Sequence, residues 1–163
     1  MISLFGNGFV GGNFAKMFPD EVFIEGRNSE NPKHNNILWS LGTSDNYNIF
    51  TDNPTIDFEV NVNKLIRILH NCKDRPIRII LLSSWFIYNG AKVTSPKEDD
   101  YSFPLGFYSI SKLCQELVLT TFCKVFDKKF NIIRLANIYG NGDEKASSKK
   151  NALTYLINQL KKN

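Results

Sequence analysis

Tyr108 and Lys112 stand four residues apart in "GFYSISKLCQE", residues 106–116, where an apolar run with helical spacing begins. Residues four apart share one face of a helix. A phenol and an ammonium on one face can move a proton. Free tyrosine has a pKa of about 10, too high for base work near neutrality, and a neighbouring cation favours the phenolate. Chance also produces such pairs, so the surroundings decide. Tyr88 and Lys92 in "YNGAK" are a decoy, because Asn89-Gly90 between them is a strong turn signal and no helix holds the two together. Near the first pair in function, though not in sequence, Ser83-Ser84 end a long apolar run. A serine at that edge could hydrogen-bond a substrate oxygen while Tyr108 exchanges a proton with it. Gly6, Gly8 and Gly11 in "LFGNGFVGGNF" form G-x-G-x-x-G directly after a candidate strand and at the opening of a candidate helix. Gly6 can make the tight turn, Gly8 lets a pyrophosphate approach the backbone, and Gly11 lets helix and strand pack closely. The free N–H groups of this turn, around Asn7, Phe9 and Val10, would face the anion. The alternative is a glycine-rich turn with no ligand.

These groups need elements to position them. "ISLF" (2–5) reads as a short buried strand, followed by the glycine turn and a helix that stops near Pro19. "VFI" (22–24) and "ILWS" (37–40) are a second and a third strand. A helix is expected from about Pro54 to Asn71, with Val60, Leu65, Ile66 and Leu69 among its apolar positions. "IRIILLS" (77–83) is an unbroken apolar run of the kind found in a central parallel strand. The next helix should begin near Phe107 and end about Asp127, with Ile110, Leu113, Cys114, Leu117, Val118, Thr121, Phe122 and Val125 as its apolar stripe. Tyr108 and Lys112 lie opposite the centre of that stripe, which places them on the surface or at a site and not in the core. "NIIRLANIYG" (131–140) is a fifth strand and "NALTYLINQLKK" (151–162) a last amphipathic helix.

Alternating strands and helices imply an α/β fold: a Rossmann-like, doubly wound parallel sheet of about five strands, in the order 2-1-3-4-5, with helices on both faces. The 163 residues suit one domain, residues 1–163. Ligands in such sheets bind at the carboxyl ends of the strands, near the switch in strand order. At the end of the second strand, "IEGRN" offers Glu25, which could bond ribose hydroxyls as in NAD sites, and Arg27, which could clamp the 2′-phosphate of NADP. Both remain open.

The composition narrows the field. No apolar run approaches the ~20 residues of a membrane span, and the start "MISLFGNG" lacks the basic and apolar regions of a signal peptide. The net charge of +4 owes much to Lys149, Lys150, Lys161 and Lys162, and no basic patch with interleaved aromatics argues for nucleic acid. Cys72, Cys114 and Cys123 are odd in number and widely spaced, as reduced thiols of a cytoplasmic protein would be. With His34 and His70 the only histidines and no paired cysteines, no metal site is expected. Trp39 is expected as packing and His70 as a helix-end residue.

Taken in order along the chain, the motifs resemble those of the extended short-chain dehydrogenase/reductases of the nucleotide-sugar epimerase/dehydratase type, from Ile2 to about Gly142. "GNGFVGGNF" is similar to that family's glycine turn, with Phe5 where its first glycine would stand. "DFEVNVNKLIRIL" resembles the helix carrying Asn-Val, which makes Asn61 a cofactor-side residue. "LLSSWFIYNG" resembles Ser-Ser-x-x-Val-Tyr-Gly, which puts the catalytic serine at Ser84. "SPKEDDYSFPLGFYSISK" resembles the acidic loop, proline and Tyr-x-x-x-Lys. "IRLANIYGNGD" resembles Arg-x-x-Asn-x-Tyr-Gly-Pro-Gly, whose asparagine, here Asn137, faces the sugar. The resemblance implies Ser84, Tyr108 and Lys112 as the catalytic set and NAD or NADP as cofactor. Ser83, Leu41 and Gly42 complete the cofactor-binding residues, and Ser84, Trp85 and Asn137 the substrate-binding ones. It also implies a nucleotide-sugar substrate and a possible homodimer through the 106–127 helix and the one before it.

The chain departs from the family pattern in places. Trp85 and Phe86 are bulky where small residues are usual. "NSENPKHNN" replaces a helix–strand unit, so one edge strand and part of the adenine pocket should be missing. The substrate-binding region is largely absent from the 163 residues. The Thr-Asp-Glu of 4,6-dehydratases is replaced by Ser84-Trp85-Phe86, which leaves epimerase or 4-keto reductase chemistry. A non-catalytic dinucleotide-binding module, a remnant, or part of an enzyme completed by another chain are the alternatives.

Overall fold

The structure is a computed structural model and describes residues 1–43, 53, 55–91, 94–140, 143, 157 and 159–161. Lys92, Gly142, Lys149, Lys150, Lys162 and most of the expected 151–162 helix lie outside the described residues, as does Pro54 at the expected start of an earlier helix.

Five parallel strands form one sheet: β1 (Ile2–Phe5), β2 (Val22–Ile24), β3 (Asn36–Trp39), β4 (Arg78–Ser84) and β5 (Lys129–Leu135), in the order β2-β1-β3-β4-β5. This is the order expected. Among the described residues, three helices connect them: α1 (Phe9–Met17), α2 (Lys64–Asn71), which continues a wider π-helical stretch over Phe58–Asn63, and α3 (Phe107–Val125). Right-handed crossovers then dictate the layers. The chain steps one way from β1 to β2 and the other way from β3 to β4 and β5, so α1 covers one face and α2 and α3 the other. The reversal falls between β1 and β3, where a crevice opens at the carboxyl ends of the strands.

The main core lies under α2 and α3. Phe5, Ile37, Trp39, Ile79 and Leu81 from the sheet meet Leu65, Ile68 and Leu69 of α2 and Leu119 and Cys123 of α3. Trp39 is fully buried and stacks on Phe5 at 5.2 Å between ring centroids, so it is a packing residue as expected. Each such large side chain contributes roughly 1.5–3 kcal/mol by burial. Between β2 and β3 there is no helix and no further strand. The 25–35 connection instead crosses β1 on the α2 side, held where the His34 N–H donates to Ser3 Oγ at 2.8 Å and Arg75 Nη1 to the Pro32 carbonyl at 2.7 Å.

Two expectations need correction. The fifth strand ends at Leu135, not at Gly140; residues 136–140 leave the sheet and are exposed. More consequentially, the apolar stripe of α3 is only partly turned inward: Val118 and Phe122 pack against the core, but its other edge faces outward. Ile110, Leu117 and Val125 are exposed, at 59% for Leu117, whereas Tyr108, Ser111, Lys112, Gln115 and Glu116 are buried with Leu119 and Cys123. Tyr108 and Lys112 are therefore on the inward side of the helix. Helical periodicity shows that one face is apolar, not which neighbour it meets. Here the N-terminal half of the inward face meets a polar network, and Leu119 and Cys123 further along it meet the apolar core.

Candidate active site

The carboxyl ends of β1, β3 and β4 and the start of α3 enclose a cleft of about 360 Å³. Gly8, Ser83, Ser84, Tyr108, Lys112 and Asn137 are among its walls, with Phe9, Val10, Gly42 and Trp85. A second cleft of about 720 Å³ continues past the glycine turn and is lined by Gly6, Asn7, Glu25, Arg27, Leu41 and Lys64, among others. Of the expected site residues, Gly11 and Asn61 lie behind these walls.

The glycine turn is built as its spacing requires. Gly6 has φ +100°, and a Cβ there would meet the Leu41 amide nitrogen at 2.4 Å. A Cβ on Gly11 would stand 2.0 Å from the Gly6 carbonyl oxygen, so only glycine lets α1 start this close to β1. At Gly8 a Cβ would meet nothing within 4 Å, since that position borders the open cleft.

β4 delivers the serines. Ser84 is 6% exposed, and its Oγ accepts a hydrogen bond from the Phe86 N–H at 3.3 Å, opening the short 3₁₀ turn Trp85–Tyr88. Tyr108, in the first turn of α3, lines the same wall of the cleft as Ser84 and packs edge-on against the Phe86 ring at 6.1 Å. Ser83 Oγ is buried and, among the described residues, has no hydrogen-bond partner. Trp85 Nε1 donates to Asn137 Oδ1 at 3.4 Å, tying the bulky residue to the expected sugar-facing amide at the cleft mouth.

Lys112 is 4% exposed, and its Nζ donates to the Leu82 carbonyl and to Gln115 Oε1, each at 2.9 Å. Gln115 Nε2 in turn donates to the Asn61 carbonyl at 2.6 Å. The Asn61 side chain accepts from the Thr43 N–H at 3.0 Å and donates to Ser111 Oγ at 2.8 Å, so it joins the loop after β3 to α3 from behind the cleft. Asp57, fully buried, accepts from the Thr43 hydroxyl. Gln115, Ser111 and Asp57 were not singled out in the sequence. The signal available was the unusually polar face of α3 opposite the apolar stripe, which carries Ser111, Lys112, Gln115 and Glu116 together. Arg134 was also passed over, although it opens the "RLAN" motif. It forms an ion pair with Glu116 at 2.8 Å and donates to the Tyr88 hydroxyl and to the Glu98 carbonyl, clamping the acidic loop onto β5.

The electrostatics differ from the sequence expectation. Burial raises the Tyr108 phenol above its ordinary pKa; the Ser84 hydrogen bond pulls it back and the Asp57 carboxylate adds to the rise. The expected lowering by the Lys112 ammonium is not the governing effect, because that group is directed to Leu82 and Gln115. Burial also lowers Lys112 from 10.5 to about 8, against the opposing pull of Glu116.

A stability prediction follows with a definite sign. Below about pH 8 Lys112 is charged in both states and burying the charge costs stability. Between about 8 and 10.5 the folded protein has released that proton and the unfolded chain has not, so the cost fades as pH rises. Comparing urea midpoints of wild type and Lys112→Met should therefore show wild type gaining on the variant, by on the order of 3 kcal/mol in total, across that window. Parallel pH curves for the two proteins would contradict a depressed lysine.

The model of the NAD dependent epimerase/dehydratase family matches residues 41–163. Among solved structures, the chain is similar to UDP-glucose 4-epimerase from Thermotoga maritima with UDP-glucose, at 18% identity and a TM-score of 0.81, covering 97% of this chain and 62% of that one. It is similar to UDP-glucuronic acid 4-epimerase from Bacillus cereus in complex with NAD, at 17% identity and a TM-score of 0.71 over 85% of this chain and 57% of that one. RMD from Pseudomonas aeruginosa complexed with NADPH matches at 16% identity and a TM-score of 0.73, over 90% and 56%. The chain thus spans less than two thirds of the length of these structures. No curated protein matches the sequence. Among the described residues, no helix is long and apolar enough to cross a membrane.

Proposed function

Because the chain belongs to the NAD-dependent epimerase/dehydratase family, we propose that it binds NAD(H) or NADP(H) over the glycine turn and acts on a nucleotide sugar as an epimerase or 4-keto reductase. One observation carries this reading: Ser84 from β4 and Tyr108 and Lys112 from α3 meet, buried, on the wall of a cleft that runs to the glycine turn. The residues present fit a dinucleotide. Gly8 leaves its side of the cleft open, and the unpartnered Ser83 Oγ lies on the wall where a ligand's polar group can satisfy it.

When bound, the dinucleotide supplies hydride exchange at C4 of its nicotinamide. The protein does the rest. Gly6, Asn7, Gly8, Phe9 and Val10 form the turn that holds the pyrophosphate, with Gly11 setting its approach to β1. Ser84 orients the sugar oxygen. Tyr108 carries the proton on and off that oxygen, and its raised pKa keeps it in the donor form that a keto sugar requires as its carbonyl becomes a hydroxyl. Lys112 supplies the cation one turn on, and Gln115 and the Leu82 carbonyl fix where that cation sits. Asn137 and Trp85 flank the sugar side of the cleft. Asn61 acts through the Thr43 loop and Ser111.

The test is a panel of UDP- and GDP-sugars with NADH and NADPH, following both absorbance at the nicotinamide band and epimer formation. Turnover of any member supports an enzyme. Tight cofactor binding with no turnover of any sugar favours a dinucleotide-binding module instead.

We assign the outward α2–α3 face to a second copy of the chain. Ile66, Ile110, Leu117 and Val125 are exposed on it, beside a groove of about 200 Å³ lined by Val118, Phe122 and Phe126. A contiguous apolar surface of this kind marks an association site. Light scattering should give a dimer mass for the wild type and a monomer mass for Leu117→Glu, with no loss of helical signal. A wild-type monomer at all concentrations removes the assignment.

A further inference from the structure

We infer that the adenosine end of the cleft selects a ribose carrying a 2′-phosphate, so that the cofactor is NADP(H), with Arg27, Lys64 and Arg67 as the phosphate clamp. This rests on the dinucleotide-binding reading above. In NAD sites a carboxylate at the end of the second strand accepts hydrogen bonds from the ribose diol. Glu25 stands at that position, but both of its oxygens are engaged by its own loop. Oε2 accepts from Ser29 Oγ at 2.9 Å and Oε1 from the Lys33 N–H at 2.7 Å. These bonds close the abbreviated connection that runs from β2 to β3 without a helix, so Glu25 works as the fastener of that loop.

The cations are differently disposed. Arg27, two residues on, is exposed at the cleft, and among the described residues it has no acidic partner. Lys64, at the start of α2, reaches across and donates to the Arg27 carbonyl. Arg67, one turn further along α2, lines the same cleft; its pairing with Glu30 at 2.7 Å is exposed on both sides and weak enough to share. The other carboxylate on the wall, Glu59, accepts from Thr55 Oγ1 at 2.9 Å. Three cations from two separate elements thus converge where the ribose of a dinucleotide on the glycine turn would end. They also crowd one another: burial and then the Arg67 charge lower the Lys64 pKa, Glu30 opposes, and Arg27 lowers it again. A dianion placed among them relieves that repulsion and gains charge-assisted hydrogen bonds.

The experiment is a fluorescence titration of the full chain with NADPH and NADH, with 2′,5′-ADP and 5′-AMP as competitors that lack the nicotinamide. NADPH should bind more tightly by about 10-fold or more, the worth of one or two charge-assisted contacts, and 2′,5′-ADP should outcompete 5′-AMP. Added salt should erode the NADPH advantage. Arg27→Ala and Lys64→Met should each reduce NADPH affinity while leaving NADH affinity within about 2-fold, a split that misfolding cannot produce. NADH binding as tightly as NADPH overturns this inference and leaves the dinucleotide reading intact. Binding of neither overturns both.

Discussion

Replacing Tyr108 with phenylalanine should lower turnover of the best nucleotide-sugar substrate by roughly 10²–10⁴-fold, the usual worth of a positioned general acid or base. The affinity for the dinucleotide should hardly move. The substitution removes only a hydroxyl on the cleft wall, and the ring keeps its edge contact with Phe86. Pre-steady-state hydride transfer and a cofactor titration on the same preparation separate the two effects. If Tyr108→Phe turns over like the wild type, the phenol is not the proton carrier and the mechanism falls. The pH profile adds a second check. The phenol is raised and not lowered, so reduction of a keto sugar should hold its rate further into the alkaline range than an unperturbed tyrosine would allow.

The second large effect concerns the glycine turn, where two neighbouring substitutions should fail for different reasons. Gly6→Ala places a methyl 2.4 Å from the Leu41 nitrogen on a backbone with φ +100°. Backbone strain and overpacking each cost about 1–3 kcal/mol, and neither can relax, because the colliding atoms are main chain. The variant should lose roughly 2–6 kcal/mol, a large part of a small domain's whole stability. Gly8→Ala meets nothing within 4 Å. Its melting temperature should match the wild type within a degree or two, while dinucleotide affinity drops at least about 10-fold, because the methyl stands where the pyrophosphate must approach. Thermal melts and cofactor titrations of the pair distinguish a structural glycine from a binding one. A Gly8→Ala protein that binds the cofactor normally would put the phosphates elsewhere.

What the sequence determined by itself was whatever short-range chemistry controls. The apolar runs 2–5, 22–24 and 77–83 were legible as strands because each is too short for a buried helix, and they form β1, β2 and β4. Alternation implied a parallel sheet, the order was the one expected of a Rossmann-like fold, and the single hand of the crossovers then assigned the helices to its faces. Gly6 and Gly11 were legible because the tight turn at φ +100° and the approach of Gly11 to the Gly6 carbonyl are local demands, whereas the collision of a Gly6 Cβ with Leu41 depends on β3 lying alongside. The four-residue spacing put Tyr108 and Lys112 on one helix face, the end of the long apolar run put Ser83-Ser84 at the sheet's rim, and the choice of Ser84 came from the family resemblance.

The tertiary structure decided everything that depends on what stands opposite. The stripe of α3 has a phase that periodicity reveals, yet its direction depends on the neighbours the helix packs against, and the inward side turned out to carry Tyr108, Lys112 and Gln115. The partners of that face come from far away in the chain: Asn61 for Gln115, Leu82 for Lys112, and Arg134 for Glu116. The same holds for the acids and bases. Four residues of spacing put the lysine on the same helix face as the phenol, but burial set the sign of the phenol's shift, and the Leu82 carbonyl and the Gln115 side-chain oxygen accept the lysine's hydrogen bonds. Proton affinity is set by the solvation and charge of a group's whole surroundings, and those surroundings exist only once the chain has folded.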